Sequence, residues 1–203
     1  MTTCLILPGL NGSGPDHWQT RWERCRSDCR RVQFGCWAMP ERGRWLSRLD
    51  AAVQAAPAPI ILVAHSLGCH AVAWWAAEAD PAATGRVAAA MLVAPPDLGS
   101  PDLMEELRAF APAPVDALPF PSLLVASRND PYSTFDSSVR LADAWAASLV
   151  DAGRQGHLNA QSHLGDWPAG QQLLDQLIAG SDAPSMNPPA PARGTHQDRR
   201  AGR

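Results

Sequence analysis

Short apolar runs at residues 3–7, 59–64, 87–94 and 122–127, with a weaker one at 31–34, alternate with stretches of helical periodicity. Runs without polar alternation mark strands buried on both faces, which is the condition of a parallel sheet covered by helices. The helical stretches show Trp18, Trp22 and Cys25 after a cap at Asp16; Trp45, Leu49 and Val53; the segment 72–79; Leu103, Leu107 and Phe110; and Phe135, Val139, Ala142, Ala146 and Leu149. A last helix over 171–178 sets Leu173, Leu174, Leu177 and Ile178 on one side and ends at Gly180. Strand and helix repeated in this way predict an α/β domain with right-handed crossovers.

Residues 181–203 break the pattern: they are proline-rich, poor in aliphatic side chains and carry a net charge of +2. Such a segment cannot offset its ordering entropy by burial. The expected organisation is one folded domain over 1–180 and a disordered tail over 181–203.

Several function classes drop out on composition. Seventeen basic residues against twenty acidic ones give a net charge of −3, so there is no basic field for nucleic acid. No apolar run approaches the roughly 20 residues of a membrane helix. The loop 8–14 does not match the dinucleotide fingerprint, and lysine is absent altogether, which removes the phosphate-loop lysine. The five cysteines, Cys4, Cys25, Cys29, Cys36 and Cys69, are odd in number and contain no CxxC pair. Cys25, Cys29 and Cys36 lack a fourth ligand at sensible spacing, so neither a metal site nor a disulfide framework is expected. With no signal-peptide pattern at the start, the expected setting is the cytoplasm.

The chemistry concentrates where the third strand ends. Ile60-Ile61-Leu62-Val63-Ala64 runs into His65-Ser66-Leu67-Gly68, and a helix follows. A serine on a sharp strand-to-helix turn needs small residues two before and two after it, so that neighbouring backbones can approach. Ala64 and Gly68 meet that need, with alanine replacing the first glycine of G-x-S-x-G. A serine hydroxyl is a poor nucleophile at neutral pH, so a histidine must take its proton and an acid must orient that histidine. In sheets with such an elbow the acid follows a late strand and the histidine precedes the last helix. Asp130, in Arg128-Asn129-Asp130-Pro131, is the acid, with Asp97 as its substitute. Of the six histidines, His157 stands where the histidine loop is required. His163 could serve if that loop folded differently, whereas His17, His65, His70 and His196 lie elsewhere.

Two backbone N–H groups must meet the oxyanion. Leu67 supplies one, and Leu10 or Asn11, in the loop after the first strand, the other. In a sheet of order 2-1-3-4-5 the chain reverses direction between strands one and three, so that loop and Ser66 meet outside their carboxyl ends. Gly9, which lets the loop pass close, and His65, next to the nucleophile, are expected to contact the substrate.

These segments resemble the small single-domain serine hydrolases of the RBBP9/YdeN family, within the α/β-hydrolase superfamily. The resemblance is carried by Leu7-Pro8-Gly9 with Ser13-Gly14-Pro15-Asp16-His17-Trp18, by Ala64-His65-Ser66-Leu67-Gly68, by Ser127-Arg128-Asn129-Asp130-Pro131-Tyr132, and by Gly156-His157-Leu158-Asn159 continuing through Gly165-Asp166-Trp167-Pro168. It implies a three-layer α/β/α sandwich with a mostly parallel sheet of five to six strands, order 2-1-3-4-5 and then 6. It also implies Ser66, Asp130 and His157 as a triad, and it draws His17 and Trp18 toward the substrate pocket. The expected reaction is hydrolysis of small acyl esters, with amides as a further class, through an acyl-enzyme. No metal or cofactor is needed, no membrane is involved, and nothing in the sequence calls for a protein partner. Residues 97–118 are the one candidate for a lid. Two other classes remain open at this level: an interaction protein on a hydrolase scaffold, and a flavodoxin-like ligand-binding module.

Overall fold

The computed structural model describes residues 2–182. Six strands, β1 (Thr3–Leu7), β2 (Cys29–Arg31), β3 (Ile60–His65), β4 (Val87–Val93), β5 (Ser122–Ala126) and β6 (Ser148–Asp151), form one sheet of order β2-β1-β3-β4-β5-β6. Every neighbouring pair is parallel. Six α-helices surround it: α1 (Trp18–Cys25), α2 (Arg42–Ala55), α3 (Leu67–Glu78), α4 (Pro81–Thr84), α5 (Phe135–Ala144) and α6 (Pro168–Asp182).

The alternation of side chains along each strand divides the interior into two cores. Leu5, Leu7, Leu62, Ala64, Leu92 and Leu124 face a core completed by Trp45 and Leu49 of α2, Val72 and Trp75 of α3 and Ala142 of α5. The intervening residues Cys4, Ile6, Ile61, Val63, Met91 and Val93 face the opposite core, closed by Trp18 and Trp22 of α1 and Leu174 of α6. The result is three layers, with the carboxyl ends of β1, β3 and β5 along one rim.

The helix expected through Leu149 stops earlier, and its last turns are a turn and β6. The Ala147 N–H reaches back to the Ala142 carbonyl (2.8 Å) and the Ala146 N–H to the Asp143 carbonyl (3.2 Å), while Ala146 takes φ 52°. This is the Schellman pattern, closed on alanine where glycine is usual. β6 is an edge strand with exposed residues, so it lacks the buried run that marks the other strands. The segment 103–110 forms a 3-10 helix over Glu105–Phe110. α1 is capped by His17 rather than Asp16, and α6 begins at Pro168 and continues past Gly180. The expected tail lies, apart from its first two residues, outside the described residues. Among those described, no helix is long and apolar enough to cross a membrane.

Candidate active site

Ser66 sits between β3 and α3 at φ 55°, ψ −126°, a conformation unfavourable for any residue with a β-carbon. The neighbouring backbones show why small residues are required. A β-carbon on Gly68 would lie 2.3 Å from the Leu7 carbonyl oxygen, and one on Gly9 would lie 2.7 Å from the Ser66 β-carbon and 3.0 Å from the Leu67 nitrogen. Ala64, paired with Leu7 across β1 and β3, is fully buried, and its methyl is accommodated.

The Ser66 hydroxyl lies 2.9 Å from His157 Nε2. On the other side of the ring, Nδ1 is 2.8 Å from Asp130 Oδ2 and 3.0 Å from Oδ1. The acid's oxygens only accept, so Nδ1 carries the proton and Nε2 is left to accept from the serine. The side chains of His157 and Asp130 are 8% and 3% exposed, which keeps water from competing for their contact. Asp130 is held by the Tyr132 N–H, which donates to Oδ1 at 2.9 Å.

The loop that carries His157 is fastened to the acid turn and to the opposite helix layer. Ser127 Oγ accepts from the Gln155 N–H (2.9 Å), Asn129 Oδ1 accepts from the Gly156 N–H (2.9 Å), and the Ser127 hydroxyl donates to Asn129 (3.0 Å). Beyond the histidine, the Trp18 indole N–H donates to the Leu158 carbonyl at 2.8 Å. Trp18 is 1% exposed and packs edge-on against Trp22, so it supports the loop from the core and does not reach the pocket wall. The anchoring roles of Ser127 and Asn129 were not among the sequence expectations.

Around the serine, a cavity of about 360 Å³ is bordered by Leu10, His17, His65, Met104, Tyr132 and Asn159, among others. Leu67, as the first residue of α3, has an N–H without an intrahelical acceptor. Of the two residues expected to provide the second donor, Asn11 is spoken for: its N–H donates to the Trp37 carbonyl at 2.8 Å. The Leu10 N–H has no partner among the described residues. Gly9 does not present a surface to the cavity. Its role is to let the loop press against the elbow.

His65 Nε2 donates to the His157 carbonyl at 2.9 Å, and burial lowers its pKa well below the usual histidine range, with His17 and His157 adding to the effect. His17 is held down to about 3, by burial first and then by the neighbouring Arg31 and His157, which disfavour a charge on its ring. Both rings are neutral at physiological pH. The substitute residues stand apart from this arrangement. Asp97 accepts from the Ser137 hydroxyl (2.5 Å) and the Gly99 N–H (2.9 Å), and His163 is an exposed residue at φ 51°. The segment 97–118 is a wall fixed by two tryptophans, since Trp74 donates to the Phe110 carbonyl and Trp145 to that of Pro114, each at 2.8 Å.

Cys4, Asp28 and Cys29 gather their donor atoms within 4.8 Å of one another near the start of β1 and β2. Asp28, however, is engaged by the Arg26 guanidinium through both oxygens, at 2.8 and 3.1 Å. The third ligand is therefore committed to an ion pair. Cys25 and Cys36 are exposed and lie outside this group.

The chain is similar to known proteins over most of its length. The profile of a family described as serine hydrolase matches residues 4–176. Among solved structures, a YdeN-like hydrolase from Pectobacterium atrosepticum is 30% identical, with 89% of this chain and 92% of that one covered at a TM-score of 0.78. The ydeN gene product of B. subtilis superposes at a TM-score of 0.71 with 21% identity, covering 88% of this chain and 100% of that one. Est1E from Butyrivibrio proteoclasticus, solved with ferulic acid bound, shares the fold at a TM-score of 0.65 and 16% identity, over 88% of this chain and 90% of that one. No curated protein matches the chain significantly.

Proposed function

The chain belongs to the serine hydrolase family, of YdeN type within the α/β-hydrolase superfamily, and from that premise we propose that it cleaves small acyl esters through an acyl-enzyme. The observation that carries this reading is the unbroken chain of contacts from the Ser66 hydroxyl through both nitrogens of His157 to Asp130. In the proposed cycle Ser66 Oγ attacks the acyl carbon as its proton passes to His157 Nε2. The imidazolium is stabilised by Asp130, and the same proton is then given to the departing alkoxide. A water molecule, deprotonated by the same nitrogen, attacks the acyl carbon and releases the acid, restoring the serine. Negative charge on the carbonyl oxygen is met by the N–H groups of Leu67 and Leu10, which preorganised backbone can stabilise without rearrangement.

The cavity bounds the size of the substrate. A volume of about 360 Å³ is at the small end of ligand pockets, and the segment 97–118, tied down by Trp74 and Trp145, acts as a wall and not as a movable cover. Short acyl groups therefore suit it better than long lipid chains.

A fluorophosphonate probe and a series of p-nitrophenyl esters of increasing acyl length test the reading. Labelling of the wild type, turnover strongest on short chains, and loss of both in Ser66→Ala are the expected results. Comparable turnover by the two proteins would overturn it.

A further inference from the structure

Two buried imidazoles beside Ser66 have hydrogen-bonding capacity that acyl transfer does not use. His17 Nδ1 accepts from the Gln19 N–H at 3.2 Å, at the start of α1. A neutral ring that accepts at Nδ1 carries its proton at Nε2. That Nε2–H is buried and has no partner, yet His17, only 4% exposed, borders the cavity that holds Ser66. Native interiors seldom leave a donor in this state, because its lost hydration is not replaced.

His65 has the complementary vacancy. Its Nε2 faces the His157 carbonyl at 2.9 Å, and a carbonyl can only accept, so the proton is on Nε2 and Nδ1 is a lone pair. No group among the described residues donates to that nitrogen. The two rings meet edge-on with centroids 4.7 Å apart, and both residues border the same cavity. Rings this close present a donor and an acceptor to one cavity, within reach of a single small polar group.

We propose that His17 and His65 form a subsite that reads a hydroxyl group of the substrate, the hydroxyl oxygen accepting from His17 Nε2–H and its proton going to His65 Nδ1. This rests on the serine hydrolase reading and narrows its substrate class to esters bearing a hydroxyl close to the scissile bond. A methylene at that place satisfies neither ring. A carboxylate satisfies only His17, and an ammonium group only His65. A hydroxyl is the smallest group that answers both, and because both rings stay neutral their donor and acceptor roles do not exchange.

The test compares kcat/KM for matched pairs of esters: p-nitrophenyl 3-hydroxybutyrate against p-nitrophenyl butyrate, and 2-hydroxyethyl butyrate against propyl butyrate. The quantity read is the ratio within a pair, from which any general loss of folding or chemistry divides out. A site built to bond a hydroxyl rejects the analogue lacking it, so the wild type is expected to favour the hydroxylated member of one pair by about a hundredfold. His17→Asn retains an acceptor for the Gln19 N–H and so keeps α1 capped, but is too short to reach the hydroxyl. It is expected to bring that ratio to within about threefold of unity. Should this variant not fold, His65→Phe, which keeps a ring in place and removes the lone pair, must reduce the same ratio. A wild-type ratio near unity in both pairs, with the fluorophosphonate probe still labelling Ser66, overturns the subsite and leaves the hydrolase reading standing. A ratio unmoved by the variant also overturns it. A wild type that neither turns over any ester nor takes the probe overturns both.

Discussion

Gly9 and Ser66 stand so close that a β-carbon added to the glycine would come within 2.7 Å of the serine's own. The first loop is thereby pressed onto the elbow, and Leu10, the next residue of that loop, borders the cavity that holds Ser66. Gly9→Ala must push the loop or the elbow away. The expected cost is about 1–3 kcal/mol of stability from overpacking and a fall in kcat of at least about tenfold as one oxyanion donor is displaced. Gly43→Ala, in α2 and away from the cavity, provides the control, since an added methyl there meets nothing within 4 Å. Urea denaturation and ester kinetics on the two variants separate the effects, and a Gly9→Ala enzyme with unchanged kcat would contradict this account.

Two aspartates follow successive strands near the rim, and their partners differ. Asp130 faces His157 with both oxygens, whereas Asp97 is turned to Ser137 and Gly99. Asp130→Asn leaves the shape intact but favours the wrong tautomer of the histidine. It is expected to lower kcat by about 10⁴-fold, as in other triads. Asp97→Asn is expected to stay within a few-fold of wild type. A reversed order of the two effects would move the acid from Asp130 to Asp97.

Much of this architecture was legible because it is enforced by backbone contact. The spacing Ala64, Ser66, Gly68 records how closely β1 approaches the elbow, and that approach is visible as a lack of side chain. The order of acid and histidine follows from the parallel sheet. What was hidden depends on contacts between distant residues. Ser127 and Asn129 hold backbone N–H groups 28 and 27 residues further on, and Trp18 reaches a carbonyl 140 residues away, so no local pattern marks them. The strand β6 was concealed for another reason. Its preceding helix closes with alanine at a positive φ, where a glycine would have signalled the stop, and Ala142, Ala146 and Leu149 continue the helical spacing through the turn.

Trp18 offers a test of that long-range support. Its indole N–H bonds the carbonyl of Leu158, a residue held at φ 49° directly after His157. Trp18→Phe preserves much of the packing against Trp22 and Trp167 but leaves this buried carbonyl unpaired. A loss of about 1–3 kcal/mol is expected. The kcat should fall several-fold with little change in KM, because the histidine is displaced and the pocket wall is not. A rise in KM with kcat intact would instead put the indole at the substrate.

The response to acid has a source away from the site. His70, fully buried in α3, donates from Nε2 to the Pro96 carbonyl at 2.8 Å, while its Nδ1 is buried without a partner and the ring lies edge-on to Trp145. Burial lowers its pKa to about 4, whereas in the unfolded chain it takes a proton near 6.5. Between those values the unfolded state binds more protons than the folded one, so stability falls as pH is lowered through that window and is fully present above it. Going from pH 7 to pH 5, this one ring accounts for a loss of about 2 kcal/mol. His70→Gln can still donate to the Pro96 carbonyl but does not titrate. Urea denaturation at the two pH values should therefore show the difference between them shrinking by about that amount. A remainder is expected, because His17 and His65 are shifted in the same direction. If the pH 7 to pH 5 difference is the same in the variant as in the wild type, the acid sensitivity does not come from His70.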